Sequence, residues 1–158
     1  MNVRHIALAI VIPMLAAIPA SAQTRSETVA GWRIGSGGSG DGGHVARLSR
    51  RGRGYSLEHH LEFWRGNGGV ALAASFRRGD CRSGDASAIV PFEQGMSRAS
   101  FDARLADYLR ECPLPAAEEA ALRRTLDLAW PRFAAIAHRA RAAMQAEIET
   151  VAGHGEQR

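Results

Sequence analysis

The sequence predicts an α+β domain. An antiparallel β-meander of three to four strands, over about residues 31–78, is roofed on one face by two to three C-terminal helices over about residues 97–112, 115–130 and 131–152. Three observations predict it. Residues 55–64 alternate apolar and polar at the period of a half-buried strand, glycine-containing dipeptides punctuate the region at hairpin spacing, and from Ser97 onward the apolar period becomes helical. A sheet with one apolar face and helices with one apolar stripe each need a partner, and each supplies the other's.

Ahead of the strands stand Arg4, an apolar run from Ile6 to Ile18, and Ala20-Ser21-Ala22 before Gln23. A cationic start, a short apolar stretch and small residues at a cleavage position mark a secretory signal peptide. The run is broken by Pro13 and is shorter than the roughly 20 apolar residues of a membrane-spanning helix. The expectation is a leader over residues 1–22, cleavage near Ala22/Gln23, and a single domain over residues 23–158, periplasmic or secreted, with no transmembrane segment of its own.

The clearest strand runs from Tyr55 to Trp64, with Tyr55, Leu57, His59, Leu61 and Phe63 on one face and Ser56, Glu58, His60, Glu62 and Trp64 on the other. Asn67-Gly68 is a strong hairpin signal, because both central positions of a type I′ turn need positive φ. With that pair as the turn, Phe63 faces Leu72, Leu61 faces Ala74 and His59 faces Phe76. Upstream, Gly52 suits the first central position of a type II′ turn. A Gly52-Arg53 turn sets Leu48 opposite Leu57 and Ala46 opposite His59, with Arg47 and Arg77 flanking Glu58. A fourth short strand is expected at Gly31 to Gly35, with Trp32 and Ile34 on one side. The G-x-G-x-x-G spelling of Gly35 to Gly40 leads into a strand rather than a helix, so it reads as a loop and not as a dinucleotide site.

After Cys81, residues 82–96 read as a connection with a short strand at Ala88 to Phe92. Phe101, Leu105, Tyr108, Leu109 and Cys112 then form one helical stripe that Pro113 ends. Pro115 suits a first helical turn, and Glu118 and Glu119 favour the positive end of the next helix. Its stripe continues through Leu126, Trp130, Phe133, Ala137, Met144 and Ile148, with Pro131 expected to kink or split it.

The only two cysteines are Cys81 and Cys112, and an even count in an exported chain argues for a disulfide between sheet and helix. No C-x-x-C motif points to redox chemistry or covalent haem. All 20 cations are arginine, and the formal charge is +4. The arginines are scattered and interleaved with acids, as a mixed soluble surface requires, so no nucleic-acid partner is expected. Glu58, His60 and Glu62 put three potential ligands on one strand face, yet zinc ordinarily draws ligands from more than one element. The simpler reading is a solvated polar face, with no resident metal and no cofactor.

His59 stands in an otherwise apolar row, and the pairing expected above sets His44 diagonally across from it, so that two imidazoles would converge beneath the helices. Burial disfavours the charged ring and lowers its pKa, so a neutral packed histidine is the plainer account. Familiar hydrolase signatures do not occur after Gln23. Two function classes follow. One is a non-catalytic binding, interaction or accessory module of the cell envelope, with an unidentified protein or envelope partner. The other is a small metal protein or hydrolase centred on His59 with His44, or on His60 with Glu58 and Glu62. Self-association through the alanine-rich helix is a further possibility.

Overall fold

The computed structural model describes residues 25–39, 43–64 and 69–155. The expected leader and the Asn67-Gly68 turn lie outside them. Six strands follow one another: β1 (Arg25–Val29), β2 (Trp32–Gly38), β3 (His44–Gly52), β4 (Tyr55–Phe63), β5 (Gly69–Arg78) and β6 (Cys81–Pro91). They form one antiparallel sheet in chain order, which is the meander the alternation implies, extended by a strand at each edge. Three helices complete the chain: α1 (Phe92–Met96), α2 (Arg98–Glu111) and α3 (Ala116–Gly155).

The added strands have local causes. Ala30 and Gly31 both take positive φ, +49° and +82°, and close a two-residue turn between β1 and β2. Alanine at such a position is uncommon, which is why the hairpin leaves little trace in the sequence. Gly35 to Gly38, expected in a loop, instead pair with Arg47 to His44 as the second half of β2. The register of β6 on β5 shifts between Leu72 and Ala74, an irregularity that erases the even alternation by which a strand is recognised.

Both expected hairpin registers are displaced by two residues. Leu48 faces His59 and Ala46 faces Leu61, because the β3–β4 turn is Arg53-Gly54, where Gly54 takes φ +76°. Gly52 serves another purpose: a Cβ there would strike the Tyr55 ring, so this glycine clears space for an aromatic neighbour. Across the next pair, Leu57 faces Phe76, His59 faces Ala74 and Leu61 faces Leu72. A slip of two preserves which face each side chain takes, whereas a slip of one would invert it. Tyr55, Leu57, His59, Leu61 and Phe63 are therefore all buried as their alternation requires, although their partners differ. The anticipated charge pairs do not form across the strands: Glu58 lies between Ser49 and Ser75, Arg47 faces His60, and Arg77 faces Ser56.

One face of the sheet carries the core. α3 covers β2, β3 and β4, while α1 and α2 lie against β6. Trp32, Leu48, Leu61 and Phe76 from the sheet meet Leu105 of α2 and Leu126 and Phe133 of α3 in one buried cluster. The Ser97 hydroxyl caps α2 by accepting the Ser100 N–H at 3.2 Å. A polar tie links sheet to helix, where Trp32 Nε1 and Arg50 Nη1 both donate to the Thr125 hydroxyl, at 3.1 and 2.7 Å.

α3 is a single helix of 40 residues that runs through Pro131, where two helices were expected. Proline removes one backbone hydrogen bond. Trp130 and Phe133, on either side of it, are both buried in the same core, and that shared packing keeps the helix whole.

Candidate functional site

His59 sits at the middle of β4, only 2% exposed. Phe101 and Phe133 present edge-on contacts with ring centroids 5.0 and 5.5 Å away, and Trp130 lies at 6.2 Å. Neither ring nitrogen has a hydrogen-bond partner. Burial, reinforced by the nearby Arg104 cation, pushes its pKa from 6.5 down to about 3, while the Gly95 backbone, near the ring but outside good hydrogen-bond geometry, pulls the other way. The ring is neutral at ordinary pH, in an aromatic box that belongs to the core. His44 does not join it. In the observed register His44 faces Phe63, and its Nε2 lies 2.7 Å from Glu147 Oε1 on α3.

Glu58, His60 and Glu62 line the opposite, helix-free face. Burial, then the Arg47 guanidinium, lowers the His60 pKa, while Glu62 and Glu58 pull the other way. Alternate residues of one strand stand about 6.5 to 7 Å apart, too far for three short side chains to reach one ion at about 2 Å. Among the described residues no three His, Cys, Asp or Glu side chains converge as a metal site would need. Cys81, at the exposed start of β6, and Cys112, buried at the end of α2, stand at disulfide distance with Cα atoms 5.8 Å apart.

The strongest chemical concentration is one that reading along the chain disperses. The β3–β4 and β5–β6 turns lie at the same end of the sheet, as a meander requires. Across that end, on the helix-free face, Arg51 faces Ser56, Ser56 faces Arg77, and Arg77 faces Arg82. Three arginines thus occupy one row of four positions, and all three are exposed. Arg53 and Arg78 sit at the same end toward the helices, where they line a cleft of ≈ 450 Å³ with Glu118 and the Cys81–Cys112 pair. The missed signal was positional: each of these arginines lies within three residues of a hairpin turn, and consecutive turns on one side stack in space.

Like charges directly opposite each other across strands destabilise a sheet. Arg77 and Arg82 stand so with no carboxylate in their row, and Arg77 Nε donates to the Gly79 carbonyl at 3.2 Å. No protein family, characterised protein or solved structure matches this chain.

Proposed function

We propose that this chain is an exported, non-catalytic binding module of the cell envelope that engages an anionic partner through the arginines at the hairpin end. The observation that carries this reading is the row Arg51, Ser56, Arg77, Arg82, in which Arg77 and Arg82 face each other. A polyanion laid across the strands would meet guanidinium groups at multiples of the roughly 4.8 Å strand spacing, and each contact would release counterions. Arginine suits the role, because its planar fork pairs bidentately with phosphate, sulfate and carboxylate. A metal or hydrolase reading has less support, since His59 is enclosed by aromatic rings, His44 is engaged by Glu147, and Glu58, His60 and Glu62 point outward in a single file.

The test is salt-dependent binding of a sulfated polysaccharide to the exported protein. Replacing Arg77 and Arg82 together by serine is expected to reduce the slope of log affinity against log salt by about one per arginine. The charge-matched pair Arg110→Ser and Arg124→Ser, on helix surfaces, should leave the slope close to wild type. Equal losses in the two double variants would show that only net charge matters and would remove the site.

A further inference from the structure

A second surface stands apart from the hairpin end. Among the described residues β1 pairs only with β2, so its outer edge presents backbone N–H and C=O groups with no described strand beside them. Along this edge runs a stripe of α3 formed by Arg132, Ala135, Ile136 and Arg139, spaced so that all four fall on one helix face. β1, Ser36 of β2 and the helix stripe line a cleft of ≈ 680 Å³, within the range of binding pockets.

Its charges are unequally committed. Arg132 is held by Glu27, with Nε 3.3 Å from Oε1. Arg25 and Arg139, which line the same cleft, have no ion-pair partner among the described residues. Trp32 meets Thr125 while His44 meets Glu147, so α3 runs along β2 and against β1, and Arg25 lies toward Arg139. The cleft therefore has a cationic end at Arg25 and Arg139, an apolar floor at Ile136, which is 7% exposed, and β1, the edge strand among the described residues, as one wall.

We propose that the β1–α3 cleft binds an extended, carboxylate-bearing peptide segment, which adds to β1 as a further strand and places a carboxylate between Arg25 and Arg139. The free edge selects an extended backbone, since strand addition satisfies main-chain donors and acceptors on both partners. The two guanidinium groups select a planar monoanion that accepts bidentate hydrogen bonds. Ile136 provides the apolar contact for an aliphatic side chain on the same peptide face as the carboxylate.

The experiment measures fluorescence anisotropy of a labelled hexapeptide with valine at its second position, aspartate at its fourth and serine elsewhere, so that both side chains share one face of the extended chain, with the exported protein. Binding is expected with a Kd below about 1 mM, weakened at least about five-fold by Arg25→Ser and by Arg139→Ser. Neither substitution should alter affinity for the sulfated polysaccharide, which reports both the fold and the hairpin end. Methylating alternate peptide nitrogens should abolish binding, because it removes the donors that strand addition uses. Amidating the C-terminus and replacing aspartate by asparagine separate the two sources of the carboxylate: sensitivity to either supports the proposal and identifies which group is held. The proposal is overturned if no binding occurs up to about 1 mM, or if a peptide with lysine in place of aspartate, or the methylated peptide, binds as well as the parent. Unchanged affinity in both arginine variants overturns it as well.

Discussion

At the scale of single residues, His59 is the side chain whose chemistry and position most disagree. An imidazole that occupies a core position in an aromatic box, with neither nitrogen hydrogen-bonded, contributes packing at the cost of its polarity. The consequence for acid stability has a definite sign. The folded-state pKa, about 3, lies below the unfolded 6.5, so between those values the unfolded chain binds the extra proton. Stability from this residue is complete above pH 6.5 and falls as the pH drops through that window, at up to about 1.4 kcal/mol per pH unit. His60 adds a dependence of the same sign, since its pKa is also lowered. Replacing His59 by leucine should leave stability at pH 7.5 equal or higher and flatten the decline between pH 6 and 4, measured by urea unfolding at each pH. An unchanged slope in the variant would mean that the ring is not shielded as described.

Among the elements, the junction of β6 with α2 depends most on a single link. Cys81 and Cys112 lie 31 residues apart in sequence and at disulfide distance in space. In the chain-entropy account, a bridge closing a loop of this length adds roughly 3 to 4 kcal/mol by restricting the unfolded chain. Replacing both cysteines by serine is expected to remove about that much and to eliminate the response of the melting temperature to dithiothreitol. A wild-type protein whose melting point ignores reductant, with free thiols by titration, would show the sulfurs unlinked. The cysteine pairing was readable from the even count and the expected oxidising compartment. The β6 strand to which Cys81 belongs was not, because the register shift at Leu72/Ala74 and a stretch of glycine, serine and alanine hide its period.

For the molecule as a whole, the decisive feature is how the meander redistributes charge. A formal +4 spread along the chain becomes a cationic end when the β3–β4 and β5–β6 turns stack. Arg82→Ser should therefore stabilise the free protein by about 0.2 to 1 kcal/mol at low salt, through lost repulsion from Arg77. That gain should vanish near 1 M salt, where the screening length is about 3 Å. Thermal melts at two salt concentrations check this, and a gain that persists at high salt would place its origin in backbone or packing effects. By itself the sequence determined the side-chain alternation of β4, the inward face of His59, the helical stripe of α2, that of α3 as far as Met144 but not Ile148, which is exposed, and the α+β class, because these are periodicities written within a few neighbouring residues. Only the tertiary structure decided the number of strands, the two-residue register shifts, the separation of His44 from His59, the continuity of α3 through Pro131 and the assembly of the arginine row. Those depend on which turn glycine takes positive φ and on which distant side chains fill the core together, and neither is encoded in any one segment.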